Sequence, residues 1–184
     1  MASWMVHLRV ADALLAKFDN LEEKEFVVGN IAPDSGVPTP DWSAYVPDKN
    51  TSHFKRPDRT GKIEISPDAF AEQYFTKEMR ASYNQKQNSF YLGYYVHLLT
   101  DVLWKQEVWY PAVNTYRADY DADPKSMTWK WKRDWYDLDF LYLRDHPEFR
   151  AFQIYEQARG SGSRISLSER KTDGQIRGRC SRIY

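Results

Sequence analysis

The sequence predicts an all-α fold, a single compact multi-helix domain around a buried central helix, and three observations carry that reading. Apolar residues recur at three- and four-residue steps near the N-terminus, the stretch from Phe90 to Trp104 is apolar nearly all round, and cap signals stand where helices should begin. A length of 184 residues suits one domain with a sizeable core.

The first helix is expected from Ser3 to about Lys17, with Ser3 as N-cap and Trp4, Leu8, Ala11, Leu14, Leu15 and Phe18 on its apolar stripe. His7 lies one turn from Trp4, Ala11 and Leu14, so its side chain falls along the buried stripe. A second short helix, about Leu21 to Asn30, must break at Ala32-Pro33-Asp34-Ser35-Gly36. A long irregular loop is expected from Pro33 to Gly61, where five prolines and no regular period occur. Loops this long in compact domains usually serve a function, and this one carries Trp42, Tyr45, His53 and Phe54. Ser66-Pro67-Asp68 reads as cap, first helical residue and first-turn acid of the next helix. The central helix is expected from about Asn88 to Trp109, with Pro111 stopping or kinking it. Two more helices follow, about Thr128 to Asp145 and about Pro147 to Arg159.

The domain boundary is placed near Arg159, giving a helical domain over 1–159 and a tail over 160–184. That tail holds six basic residues against two acidic ones, four of the eight glycines and five serines, the composition of a flexible segment. The whole chain has a formal net charge of +0, so the body is the acidic part. Scattered positive charge of this kind mostly marks a solvated end, and a nucleic-acid partner is not expected. The lone Cys180 excludes an internal disulfide and a cysteine zinc cage, which leaves His, Asp and Glu to hold any metal. No apolar run approaches the roughly 18 residues of a membrane span, and Arg9 and Asp12 interrupt the start, so a cytoplasmic protein without a signal peptide is expected. Oligomeric state is not legible.

His97 and Asp101 stand four apart on the central helix and so share one face, where an imidazole and a carboxylate can grip one ion or simply satisfy each other. His7, Asp34 and His53 have ordinary readings singly, as a core histidine, a turn residue and a loop residue. Together they supply imidazole and carboxylate donors, the set expected for zinc, iron or manganese when thiols are absent.

The segments Ser-Trp-Met-Val-His7-Leu, Gly29-Asn-Ile-Ala-Pro-Asp34-Ser-Gly, Ser52-His53-Phe and Phe90-Tyr-Leu-Gly-Tyr-Tyr-Val-His97-Leu-Leu-Thr-Asp101 resemble, in order, the motifs of the zinc-dependent phospholipase C family. That family is all-α, and the fungal single-strand nucleases share its architecture. The resemblance covers about Met1 to Arg159 and is strongest in the central helix. It implies that Asp34, His53, His97 and Asp101 ligate one zinc. It further implies that His7 binds a neighbouring zinc which Asp101 also serves, and that Asp34 acts as general base. Mature secreted members begin with a tryptophan whose amino group binds metal, whereas Trp4 is internal here. Beyond Asp101 they supply further histidines and a glutamate, whereas this chain has only His146. One zinc is therefore expected, or two if Asp134 or Asp137 substitutes.

The expected activity is metal-dependent hydrolysis of a phosphoester, phospholipid-like or another phosphodiester or phosphomonoester, by metal-activated water. Trp42, Tyr45 and Phe54 would line the cleft or pack the loop onto the helices. The alternative is a non-catalytic, metal-stabilised helical binding or structural protein, because four protein ligands would close a single site.

Overall fold

Two interior glycines decide how the helices meet. In the computed structural model, which describes residues 2–41 and 43–160, helix α1 spans Trp4–Leu15 and α2 spans Glu23–Ile31. The chain then makes a short 3-10 turn (Ala32–Asp34), a two-stranded antiparallel ribbon of β1 (Val37–Pro38) and β2 (Tyr45–Val46), and the one-turn helix α3 (Lys49–Ser52). A second ribbon of β3 (Lys55–Pro57) and β4 (Ile63–Ile65) leads to α4 (Pro67–Tyr74) and α5 (Lys77–Ser82). Helix α6 (Gln85–Trp104) is the long central element. A β-carbon on Gly29 of α2 would lie 2.1 Å from the Phe90 carbonyl oxygen, and one on Gly93 of α6 would lie 2.1 Å from that of Phe26. The backbones of α2 and α6 are thus in direct contact, and only glycine permits that crossing.

The core forms around α1 and α2, with Leu92 and Val96 of α6 packed against it. Met5, Leu8, Ala11 and Leu15 of α1 pack with Phe26, Val27 and Ile31 of α2 and with Phe149, Ala151 and Tyr155 at the C-terminal end. Ser3 caps α1 through the Val6 amide, as the sequence predicts. The helix stops at Leu15, earlier than the stripe suggested, so Phe18 falls beyond its end and is exposed. Asp12 then reaches from α1 to accept from the Ala151 amide at 2.9 Å and caps the last helix, α10 (Arg150–Gly160), at its positive end.

The stretch expected to be one irregular loop holds the 3-10 turn, the first ribbon, α3 and β3, elements too short to show a regular period. The central helix also differs from its expected character. Its buried residues are Ser89, Gly93, His97, Leu98, Thr100 and Asp101, whereas Leu99 and Leu103 are exposed. Leu98 apart, these are small or polar groups, and at Gly93 α2 lies too close for any side chain. A π-helical turn (Lys105–Trp109) replaces the regular ladder ahead of Pro111, which sits in the first turn of α7 (Tyr110–Thr115). Helix α8 (Arg117–Ala122) and the long α9 (Pro124–Asp145) complete an aromatic end, where Trp109 meets the edge of Trp131 and Tyr120 stacks on it. The fold is all-α, with two small ribbons as its only strands among the described residues. No helix among them is long and apolar enough to cross a membrane. The proposed tail from residue 161 onward, together with Cys180, lies outside the described residues, as does Trp42.

Candidate metal centre

His97 is the pivot of a cluster of buried donors. Its Nδ1 lies 2.7 Å from the Asn30 carbonyl oxygen. An N–H at Nδ1 donates to that carbonyl and leaves the Nε2 lone pair facing inward. The short bond exists because α2 and α6 touch at their glycines, and the Asn30 side chain adds a second tie by donating to the Gly93 carbonyl at 3.3 Å.

Around the His97 Nε2 stand three further donors. His53 Nε2 is 3.4 Å away, and Asp101 Oδ2, one turn along the same helix, is 3.7 Å away. His53 Nε2 also lies 3.4 Å from Asp34 Oδ1 and 3.5 Å from Asp101 Oδ2. Ser52 Oγ stands 3.0 Å from His53 Nδ1, so this ring too is held at its outer nitrogen, and the Tyr94 hydroxyl donates to the Ser52 carbonyl. His53, His97 and Asp101 are wholly buried, whereas the Asp34 side chain keeps 7% exposure.

A second grouping shares two of these residues. Asp101 turns Oδ1 away from the first cluster, toward His7 Nε2 at 3.5 Å and the Ala2 amide nitrogen, which donates at 2.7 Å. His7 is fully buried and stacks on His97 with ring centroids 3.8 Å apart and planes 6° from parallel. Among the described residues two sets of potential metal donors occur: His7, His97 and Asp101, and Asp34, His53 and His97. All five residues singled out from the sequence are thus brought together.

Hydrogen bonding alone does not complete this arrangement. Both ring nitrogens of His7, Asp34 Oδ1 and Asp101 Oδ2 are buried without a hydrogen-bond partner. Buried polar atoms are rarely left so, since each unsatisfied group costs about 1–3 kcal/mol. A divalent cation would satisfy them. Donors placed tetrahedrally about 2.0–2.1 Å from zinc are separated by roughly 3.3–3.4 Å, and four of the six separations here are 3.4–3.7 Å. The residues fit the ion.

Protonation agrees. Burial lowers the His97 pKa to about 3, helped by His7 alongside and opposed by Asp101 and Asp34, so the ring is neutral near pH 7. For Asp34, burial pushes upward, but the approach of His53 and the fields of His97 and Lys49 outweigh it and hold the carboxyl well below its usual range. Asp101 is likewise held low, with His7 and His97 overcoming burial. Neutral imidazole beside ionised carboxylate is the state that binds metal.

The sequence model of the family described as Zinc dependent phospholipase C matches residues 6–117, more than half of the chain. The chain belongs to that family. No curated protein and no solved structure matches it. The family match spans all five clustered residues, from His7 to Asp101, and ends before α9.

Other sequence candidates fall elsewhere. Asp134 and Asp137 are exposed on α9 and belong to neither donor set, and His146 is half-exposed and pairs with Glu148 at 3.3 Å. The Phe54 ring packs against Phe70, Tyr74 and Tyr94, which makes it part of the support beneath His53. Tyr45 lies at the surface with the Lys49 ammonium 5.6 Å over its ring. Sequence reasoning missed Asn30 and Ser52. Glycines inside two helical segments were the available signal for the first, since interior glycine marks a close approach. Adjacency to His53 was the signal for the second.

Proposed function

We propose that this member of the zinc-dependent phospholipase C family is a metal-dependent phosphoester hydrolase whose ion is held by Asp34, His53, His97 and Asp101. The observation that carries the proposal is the gathering of buried, in part unpartnered donor atoms about His53 Nε2, which has His97 Nε2 and Asp34 Oδ1 at 3.4 Å and Asp101 Oδ2 at 3.5 Å. His7 and the second oxygen of Asp101 offer a neighbouring position. Zinc is the ion the family implies, and iron or manganese would use the same donors. When bound, zinc supplies Lewis-acid polarisation of a phosphoryl oxygen and makes a coordinated water acidic near neutral pH.

The chain supplies the rest. The Asn30 carbonyl and the Ser52 hydroxyl fix the two imidazoles, so no rotamer search precedes binding. Asp34 is the one member of the four that solvent reaches to any extent, so substrate and water enter on its side. Its Oδ1 is committed toward His53, and Oδ2 accepts the proton of the attacking water. The low pKa keeps Asp34 ionised and ready throughout the neutral range. A phospholipid-like substrate accords with the family.

The competing reading is a closed structural site, favoured by the full shielding of His53, His97 and Asp101 and by the presence of four protein donors. One experiment separates the two. Zinc per chain, measured by plasma mass spectrometry on protein purified without a metal-affinity tag, should be near one or above and fall in Asp101→Asn and His97→Ala. Hydrolysis of bis(p-nitrophenyl) phosphate should then drop roughly 100-fold or more in Asp34→Asn at equal zinc content. Full zinc occupancy with no turnover of any phosphoester would establish the closed site instead.

A further inference from the structure

Lys49 stands where the donor cluster meets solvent. It is the first residue of α3, whose Asp48 cap accepts from the Asn50 and Thr51 amides, and its own carbonyl accepts from the His53 amide at 3.2 Å. The lysine is therefore tied through the main chain to a donor residue, and α3 packs against the 3-10 turn that carries Asp34. The Lys49 Nζ lies 3.9 Å from Asp34 Oδ1 and 5.6 Å from the centre of the Tyr45 ring, with its side chain 46% exposed. Because solvent reaches the cluster on the side of Asp34, this ammonium sits at the mouth of the site.

An ammonium this close to a metal ligand acts in opposite ways in the two states of the site. With no ion bound it offsets the charge of Asp34. Once an ion binds, Asp34 shares its charge with the metal and the ammonium faces a like charge. With the imidazoles neutral, Asp34 and Asp101 together balance one divalent ion, so Lys49 leaves the mouth with a single positive charge in excess. A monoanion that bridges metal and ammonium restores neutrality, and a phosphodiester is such an anion. Release from Asp34 costs little, since solvent already screens a half-exposed pair 3.9 Å apart.

We infer that Lys49 is a substrate-binding residue that exchanges Asp34 for a non-bridging phosphoryl oxygen once the ion is in place, and that it selects phosphodiesters whose remaining part is neutral or acidic. The selection follows from Tyr45. An aromatic face is where a quaternary ammonium headgroup would be held, and at this mouth that face is already met by Lys49. A cationic headgroup would find the ring taken and a like charge beside it. The inference rests on the hydrolase reading for its location, and it adds a residue and a substrate class to that reading.

The test measures zinc affinity by competition with a chromophoric chelator, then titrates inorganic phosphate calorimetrically into the zinc-loaded protein. Wild type, Lys49→Met, Lys49→Gln and Lys49→Arg are compared, with melting temperatures alongside. Both neutral variants should bind zinc about 3–10-fold more tightly and phosphate about 10-fold more weakly, and Lys49→Arg should stay within about 3-fold of wild type in both. The opposite signs separate this role from a structural one, in which a loosened α3 would weaken both. Phosphomonoesters, which carry no diester bond to cleave, probe the selection: glycerol 3-phosphate should bind at least about 5-fold more tightly than phosphocholine, with the preference lost in Lys49→Met. Phosphate affinity within about 2-fold of wild type in the neutral variants at full zinc overturns the inference and leaves the hydrolase reading standing. So does parallel weakening of zinc and phosphate, or equal binding of the two phosphomonoesters. Phosphate binding that depends on Lys49 at full zinc, with no turnover of any phosphoester, does the reverse.

Discussion

The donor cluster and the aromatic end are buried by opposite means. Where α1, α2, α3 and α6 meet, the fully buried side chains include His7, Asn30, His53, His97 and Asp101. Between the π-helical turn and α9, Trp131 is buried among the rings of Trp109, Tyr116 and Tyr120, and Trp104 meets the edge of Trp135. The first region leaves polar atoms waiting for a cation, so its stability is linked to a ligand. The second is held by ring packing and needs no ion.

The largest effects should separate the two regions. Trp131→Ala removes the ring that three aromatic neighbours pack against, at a cost of about 3–5 kcal/mol, which lowers Tm by roughly 6–20 °C for a domain of this size. Zinc uptake should not change. Gly93→Ala should lower Tm by a comparable or slightly smaller amount, about 3 kcal/mol, because the new Cβ meets a main-chain oxygen that can move only if α2 moves. Here zinc uptake should fall as well, since α2 carries the Asn30 carbonyl that orients His97. Calorimetric scans with and without zinc, plus metal content, check both. Equal zinc loss in the two variants would mean that the regions are not independent.

This contrast also explains what could be read from the sequence. Helical periodicity and the caps at Ser3 and Ser66 were legible because they depend on neighbours in the chain. His97 and Asp101 were legible as a pair because helix geometry fixes residues four apart. The meeting of His7, Asp34 and His53 with that pair depends on the α2 and α6 crossing, a contact between residues over sixty positions apart, so donor chemistry and the family resemblance pointed to it but no local pattern did. The inward face of α6 was misjudged for the same reason. A run of large apolar residues suggests burial all round, but beside a glycine-tight crossing the buried face of α6 is small and polar apart from Leu98, and Leu99 and Leu103 are turned out.

A middle-sized effect belongs to the donor cluster alone. In metal-free protein the folded state keeps His97 neutral down to about pH 3, whereas the unfolded chain takes up that proton near pH 6.5. The unfolded state therefore binds more protons between those values, so stability is greatest above pH 6.5 and is lost as pH falls. The slope approaches about 1.4 kcal/mol per pH unit from this residue. Asp34 and Asp101, held below their usual value of 3.8, add a loss below about pH 4 with the same sign. Urea midpoints of the chelator-treated protein should thus drop between pH 7 and pH 5, and His97→Leu should flatten the profile. A profile already flat in wild type would contradict a buried neutral His97.

The smallest effect is the most discriminating for the metal count. Asp134 and Asp137 are the acids that the sequence offered as replacements for missing donors, and both stand exposed on α9, outside either donor set. An exposed carboxylate gains little from a partner, because solvent screens it, and loses little when amidated. Asp134→Asn and Asp137→Asn should therefore leave Tm within about 0.5 kcal/mol of wild type and leave zinc per chain unchanged. If a second ion does bind, its donors are then His7 and the outward oxygen of Asp101, and only substitutions there should remove it. Loss of zinc in either asparagine variant would instead place a ligand on α9, and the aromatic end would no longer be independent of the ion.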